Sequence, residues 1–392
     1  MWIDRSCSDQ ISEAVKTRPV VLITGLRQSG KSSLLRHLFP EAVYVTLDDL
    51  MTAREAKENP KHFLKKLVKE TRVIIDEIQY APDLLRELKM IIDENRDISG
   101  QWIITGSQKF SLMNCVCESL AGRISIIELS TLSTAELKNK GINFSVEEAV
   151  QRGGFPELWK NRDLNSQFFY RDYIKTYIER DVRNILSVGD LNSFQKFIQL
   201  LALRSANMLN FSELAKDSSI SPNTAKSWIS VLESSGVISV VQPYFENMGK
   251  RLIKSPKVFF SDTGLLCNLL RLGSDVSIWE HPLIGQIWEN YVVSEILKTV
   301  PLYPDTSVYY YRDSNGVEID ALVIRNMTIY AVEAKSAEIV NENKLNFNKV
   351  LPLFENRKYK TEAIVAAPVT QGRITLGKYT YVNPGMESIF CF

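Results

Sequence analysis

The sequence predicts an α/β protein in three stretches. A parallel sheet covered by helices comes first, then a helical region ending in a helix-turn-helix, then a second α/β segment. Three observations predict this. Apolar strand-like runs alternate with helical segments between residues 20 and 130. Two short helical patterns separated by a turn occupy residues 211–233. A helical pattern over 285–298 leads into Tyr- and Val-rich runs divided by turn residues. At 392 residues the chain exceeds what one core usually serves. The expected segments are 1–150, 151–205 (a helical lid or linker), 206–270 and 275–392.

Charge and composition narrow the function classes. Forty-seven basic residues against 46 acidic ones exclude a polybasic protein, though not a local basic patch. No apolar run approaches the roughly 20 residues that span a bilayer, and MWIDRSCSDQ lacks the apolar stretch of a secretory signal. The expected compartment is therefore cytoplasmic, with no membrane partner. The cysteines (Cys7, Cys115, Cys117, Cys267, Cys391) are odd in number and scattered. They form neither a disulfide framework nor paired metal-ligand spacing, and read as small buried or idle thiols.

In the first segment the strands read VVLIT (20–24), VYVTL (43–47), VIID (73–76), WIIT (102–105) and ISIIEL (124–129). Helical stretches such as SSLLRHLF separate them. Strand, helix, strand at this pace implies parallel pairing with both faces covered.

The first strand runs into Gly25-Leu26-Arg27-Gln28-Ser29-Gly30-Lys31-Ser32-Ser33, which fits the P-loop (Walker A) spacing. Glycines let the backbone curl so that successive N–H groups point at phosphate oxygens. The helix opening at Ser33 adds its partial positive end. Lys31 is expected to reach the β- and γ-phosphates of ATP, and the Ser32 hydroxyl to ligate Mg²⁺. Asp76 and Glu77 close an apolar strand some 45 residues later. Asp76 is the expected metal carboxylate, and Glu77 the group that orients or deprotonates the attacking water. Thr105 or Ser107 would sense the γ-phosphate, with Ser107 preferred and Gln108 assisting. Arg123, in Leu120-Ala121-Gly122-Arg123, would contact phosphate in cis or from a neighbouring subunit; the alternative is a surface arginine before a strand. Action in trans would require a homo-oligomer.

GLRQSGKSSLL, VIIDEIQ, ITGSQ and LAGR in this order resemble the AAA-like ATPases of bacteria and archaea that carry a C-terminal domain of unknown function. The resemblance continues through RGGFPE (152–157), Tyr177-Ile178-Glu179-Arg180-Asp181 and KRLIKSPKVFFSDTGLL (250–266). It implies nucleotide binding at Lys31, Ser32, Asp76 and Glu77.

Residues 211–216 read as a short helix capped by Ser212, 219–223 as a turn, and 224–233 as a helix with Ala225, Trp228, Ile229 and Leu232 on one face. A strand from Val237 follows. This is the order of a winged helix-turn-helix. Asn223, Thr224, Lys226 and Ser227 would face outward toward DNA, with Lys250, Arg251, Lys254 and Lys257 in the wing. Residues 160–260 hold 14 Lys plus Arg against 9 Asp plus Glu. That local excess suits phosphate contact; docking of a protein partner is the competing use of the same fold.

In the last segment, Asn315-Gly316 between β-rich runs predicts a hairpin. Glu318 and Asp320 share one strand face, and Glu333 and Lys335 share another. Two carboxylates on adjacent strands, a nearby cation and a helical glutamate are what metal-dependent phosphodiester cleavage needs. Asp320 and Glu333 would hold Mg²⁺ or Mn²⁺, Lys335 would supply the cation, and Glu289 the helical acid, with Glu295 the alternative. An acidic residue, a spacer, then Asp or Glu-x-Lys is the signature of the restriction-endonuclease-like fold, which these residues resemble, and the resemblance of 285–290 to the ATPase family's glycine-aromatic-Glu-Asn pattern implies Glu289. The expected protein is an ATP hydrolase coupled to DNA binding and metal-dependent DNA cleavage. The alternative is an ATP-driven switch or scaffold whose C-terminal domains dock protein partners without nuclease activity.

Overall fold

Five strands, each nearly a continuous apolar run, form the first sheet: β1 (Val20–Thr24), β2 (Val43–Thr46), β3 (Val73–Asp76), β4 (Trp102–Gly106) and β5 (Ile124–Glu128). Their order is β2-β3-β4-β1-β5 and every pairing is parallel. Val20, Leu22, Val73, Ile75, Trp102 and Ile104 pack into one core cluster. Their neighbours Val21, Ile23, Ile74 and Ile103 are equally buried, so both faces are covered, as parallel sheets require. The helices of this unit include α1 (Ser8–Thr17), α2 (Lys31–Leu38), α3 (Leu50–Glu58), α4 (Pro60–Leu67) and α5 (Leu84–Glu94). Asp49 caps α3 by accepting from the Thr52 N–H at 2.8 Å.

This computed structural model describes residues 1–106, 119–178, 191–244, 255–273, 276–303 and 305–390. Ser107, Gln108, Cys115, Cys117, Glu179–Asp181, Lys250, Arg251, Lys254 and Cys391 lie outside the described residues. Among the described residues no helix is long and apolar enough to cross a membrane.

The chain divides into two compact units, residues 4–130 with 234–236, and residues 1–3, 131–233 and 237–392. The first division falls near 130 rather than 150 because α6 (Thr134–Asn139) and α7 (Val146–Arg152) build into the second unit. Glu295 accepts from the Thr134 N–H at 2.7 Å, and the Asp262 carboxylate accepts from the Gly154 N–H at 2.8 Å.

In that unit α8 (Phe211–Ser218) and α9 (Pro222–Ser234) form the expected helix pair, with Ala225, Trp228, Ile229 and Leu232 buried. The cap of α8 is Asn210, which accepts from the Glu213 N–H, not Ser212. β6 (Ile238–Val241) and β7 (Lys257–Phe260) pair antiparallel. Asn223, Lys226 and Ser227 are exposed, and Thr224 is half-buried.

α10 (Thr263–Leu269) and α11 (Ile284–Thr299) follow. A six-stranded mixed sheet then contains β8 (Thr306–Arg312), β9 (Glu318–Arg325), β10 (Thr328–Ala334), β11 (Lys360–Ala366), β12 (Arg373–Leu376) and β13 (Tyr379–Val382), ordered β12-β13-β11-β10-β9-β8. β8, β9 and β10 are antiparallel neighbours, whereas β10–β11 and β11–β13 are parallel. The turn between β8 and β9 uses Gly316 at φ 79°, a left-handed conformation that glycine adopts freely. Trp288 and Tyr291 of α11 pack with Ala321, Val323 and Val332. Phe347, Val350 and Phe354 of α12 (Phe347–Glu355) pack with Ile329 and Ala331. Among the described residues, Ala206, Val241 and Phe259 share one core cluster with α11 and the C-terminal sheet. Asn290 of α11 accepts from the Phe260 N–H at 2.7 Å and donates to the Phe260 carbonyl at 3.0 Å.

Candidate functional site

Two clusters carry chemistry, one in each unit. The first lies at the C-terminal end of β1. Gly25 has φ 137°, and a Cβ there would lie 2.1 Å from the Leu129 carbonyl oxygen, so only glycine fits. Gly30 at φ 96° turns the chain into α2, whose first residue is Lys31. The Lys31 ammonium is buried and donates to the carbonyls of Gly25 (3.0 Å) and Leu26 (2.7 Å). Arg5 braces the loop by donating to the Ser29 carbonyl at 2.9 Å. Ser29 Oγ and Thr24 Oγ1 are buried without a hydrogen-bond partner, a state a polar ligand would relieve.

Asp76 ends β3 beside this loop, and three hydroxyls converge on its carboxylate. Ser32 Oγ donates to Oδ2 at 2.8 Å, Tyr44 also donates to Oδ2, and Thr105 donates to Oδ1. Thr105 in turn accepts from the Glu77 N–H at 3.2 Å. Glu77 sits at φ 58°, ψ 48°, a left-handed conformation unusual for a side-chain-bearing residue, and accepts from the Gln79 amide. The loop and Asp76 therefore juxtapose a hydroxyl and a carboxylate, the hard oxygen donors that Mg²⁺ takes. The magnesium that a P-loop fold usually uses thus fits Ser32 and Asp76.

Arg123 corrects an expectation. Its carbonyl accepts from the Val20 N–H, at the start of β1, whereas the P-loop follows the end of β1. The five-residue strand separates the two by roughly 13 Å or more. The guanidinium is held by Asp93 of α5, Nε to Oδ1 at 2.8 Å and Nη2 to Oδ2 at 3.0 Å. Contact with phosphate bound in the same chain is excluded by this placement.

The second cluster gathers at one end of the C-terminal sheet. Carboxylate oxygens of Glu289, Glu318 and Asp320 all lie within 4.8 Å of one another. Lys257 of β7, only 3% exposed, reaches Glu289 at 2.6 Å and also pairs with Glu318. Arg312 pairs with the other Glu318 oxygen. Asp320 accepts from the Ala334 N–H at 2.7 Å. The β9–β10 register pairs Ala321 with Val332, so its next step sets Asp320 opposite Glu333. Glu333, 2% exposed, binds Lys335 at 2.8 Å and accepts from the Asn346 N–H.

Burial and the neighbouring Asp320 push the Glu289 carboxyl up to about 8, against the pull of Lys257. Burial also raises the Glu333 pKa, against Lys335. Burial opposes the charged forms of Lys257 and Lys335. The surrounding carboxylates outweigh it and raise both lysine pKa values.

Glu289, Asp320, Glu333 and Lys335 thus meet, although the tightest carboxylate group contains Glu318 in place of Glu333. Glu295 lies elsewhere, binding Lys298 at 2.7 Å and the Thr134 N–H. Lys257 is not a wing residue free for DNA phosphate, because it is buried and ion-paired. Three members, Tyr44, Glu318 and Lys257, escaped the sequence reading of the sites. A lysine opening the otherwise apolar strand KVFF was the available signal for the last.

A family model described as an AAA domain matches residues 17–138. Two domains of unknown function match residues 143–276 (DUF8612) and 284–370 (DUF4143). The chain therefore carries a P-loop ATPase domain of the AAA type at its N-terminal end and a DUF4143 domain toward its C-terminal end. It is similar to the uncharacterized protein Rv2008c of Mycobacterium tuberculosis, 29% identical over 335 residues that cover 84% of this chain and 73% of that one. The Mycobacterium bovis protein Mb2031c aligns with the same identity and coverage. Among solved structures, the Walker-type ATPase PABY2304 of Pyrococcus abyssi superposes with a TM-score of 0.48 at 18% identity, over 68% of this chain and 96% of that one. AMPPCP-bound DnaA from Aquifex aeolicus gives 0.30 at 14% identity, over 57% and 86%.

Proposed function

We propose that this protein hydrolyses ATP with Mg²⁺ at the P-loop. The observation that carries the reading is the 2.8 Å contact between Ser32 Oγ and Asp76 beside Glu77. The N–H groups of residues 25–33 bind and orient the phosphates, with Lys31 turning from the loop carbonyls to the β- and γ-oxygens. Ser32 and Asp76 would hold magnesium, which would supply charge neutralisation on the phosphates. Glu77, positioned by Gln79 and by its own backbone, orients the attacking water and takes its proton. Ser107 remains the proposed γ-phosphate contact beyond β4, and Thr105 serves instead to fix Asp76. The reading is tested by phosphate release from ATP with Mg²⁺. Wild type should turn over and Lys31→Ala should lose at least about 100-fold, in line with the loss of a preorganised phosphate contact. Equal turnover by both proteins would refute it.

A second activity, metal-dependent DNA cleavage, is favoured by one observation: Glu289, Glu318 and Asp320 converge while Lys335 sits on the adjacent Glu333. Hard oxygen donors in this number suit Mg²⁺ or Mn²⁺. The metal would supply charge stabilisation on a phosphodiester, with Asp320 and Glu289 holding it and Lys335 binding the phosphate. The exposed Asn223, Lys226 and Ser227 on α9 would bring DNA to this unit. Duplex, single-stranded and branched DNA should be cut by wild type with Mn²⁺ and left intact by Asp320→Ala. No cutting of any substrate, with ATP hydrolysis retained, would favour the alternative of a nucleotide-driven switch that docks a protein partner.

A further inference from the structure

The Asp76 carboxylate is anchored more heavily than the P-loop reading requires. Ser32 alone would link it to the magnesium position, yet a second hydroxyl, that of Tyr44, donates to the same oxygen, Oδ2. Thr105 holds Oδ1. Tyr44 comes from β2, the edge strand beside β3, where the register aligns Tyr44 with Ile74 and Thr46 with Asp76. Its ring is also covered by Arg36, whose guanidinium carbon lies 4.6 Å from the ring centroid. Arg36 and Ser32 are four residues apart on α2, hence on one face of that helix. A single tyrosine therefore ties the phosphate-binding helix to the strand that carries the metal carboxylate.

The two donors on Oδ2 differ in what else they can do. A serine hydroxyl that ligates a metal offers the ion a lone pair and keeps its O–H for Oδ2, whereas the phenol, carried on a separate strand, serves the carboxylate alone. We infer that Tyr44 is a positioning residue for the magnesium site: its hydroxyl fixes Asp76 Oδ2 from β2, so that the carboxylate keeps its orientation when Ser32 also serves an ion. Partners of this kind, which touch a ligand but not the metal, typically alter metal affinity by 10–100-fold when removed. The inference rests on the P-loop reading and adds a residue to it that lies outside the Gly25–Ser33 and Asp76–Glu77 motifs.

Tyr44→Phe isolates the role, because it keeps the ring and the Arg36 contact and deletes only the O–H. The measurement is binding of a fluorescent N-methylanthraniloyl-ADP across a range of Mg²⁺ concentrations, repeated with Mn²⁺ followed by electron paramagnetic resonance. The expected result is an unchanged affinity for nucleotide without metal and about a 10-fold rise in the metal concentration that half-saturates the complex. A Tyr44→Phe titration that overlays wild type overturns the inference. Loss of metal-free and metal-dependent affinity by the same factor also overturns it, since that would mean Tyr44 merely supports the fold. A wild-type protein that binds nucleotide with no dependence on metal overturns the P-loop magnesium reading, and Tyr44's role with it, whereas an Asp76→Asn control that loses metal dependence supports that reading and leaves Tyr44→Phe to decide the role of Tyr44.

Discussion

The two carboxylate clusters are surrounded by opposite kinds of partner. Asp76 is surrounded by three neutral hydroxyls, those of Ser32, Tyr44 and Thr105. Glu289, Glu318 and Glu333 are surrounded by three cations, Lys257, Arg312 and Lys335. Burial together with Asp76 pushes the Tyr44 hydroxyl up to about 12, so that site's donors stay uncharged. A carboxylate held by hydroxyls keeps its negative charge available to an incoming cation. Carboxylates held by buried ammonium groups are already largely neutralised, and an incoming metal must share them with Lys257. On the proposed function, the first cluster would thus accept a metal that arrives with its nucleotide, whereas the second carries its own counter-cation within the fold.

Removing that counter-cation should produce the largest effect. Lys257→Met leaves Glu289, Glu318 and Asp320 facing one another, and should destabilise the protein by about 3–5 kcal/mol in denaturant melts. Mn²⁺ should restore part of that loss in the variant more than in wild type; a melt insensitive to both substitution and metal would erase the distinction between the two clusters. At the P-loop the sensitive point is steric. Gly25→Ala drives a Cβ into the Leu129 carbonyl and forces an unfavourable φ, for a loss of about 1–3 kcal/mol together with nucleotide binding.

A smaller effect concerns pH. The Glu289 carboxyl is raised to about 8, above its unfolded value, so its contribution is full at acid pH and is lost as pH rises toward 8. Glu289→Gln cannot ionise. Its metal-free stability relative to wild type should rise between pH 5 and pH 8, and a constant difference would contradict the buried placement. Least affected should be Arg123→Ala, which removes a contact to Asp93 at the far end of the sheet. Its ATP turnover should match wild type; a large loss would mean that Arg123 acts on a neighbouring subunit's nucleotide.

The same contrast explains what could be read from the sequence. The P-loop is one contiguous run, and its strand, turn and helix are local, so Gly25–Ser33 and the five strands were legible within a residue or so. Asp76 and Glu77 followed because an apolar strand ending in two carboxylates is itself a local pattern. The C-terminal site was legible only where local periodicity reached it: the alternation in β9 and β10 indicated Asp320, Glu333 and Lys335. Glu318 was seen to share a face with Asp320, but its membership depends on Arg312 and Lys257. Lys257 lies far off in sequence, on a strand of the region that reads as a winged helix, where a basic residue reads as a phosphate contact. Tyr44 was hidden for a similar reason, since a tyrosine in VYVT reads as strand propensity until the β2–β3 register brings it beside Asp76. The cis reading of Arg123 failed for a geometric reason. Sequence proximity to a strand does not say which end of the sheet an arginine occupies.

The most direct test of the central claim is Glu77→Gln, which keeps the size of the side chain and removes its capacity to take a proton. Measured side by side with wild type, it should bind ATP and Mg²⁺ with similar affinity while phosphate release falls by about 100-fold or more. Turnover at the wild-type rate would contradict the account of this P-loop as a hydrolytic site organised by Ser32, Asp76 and Glu77.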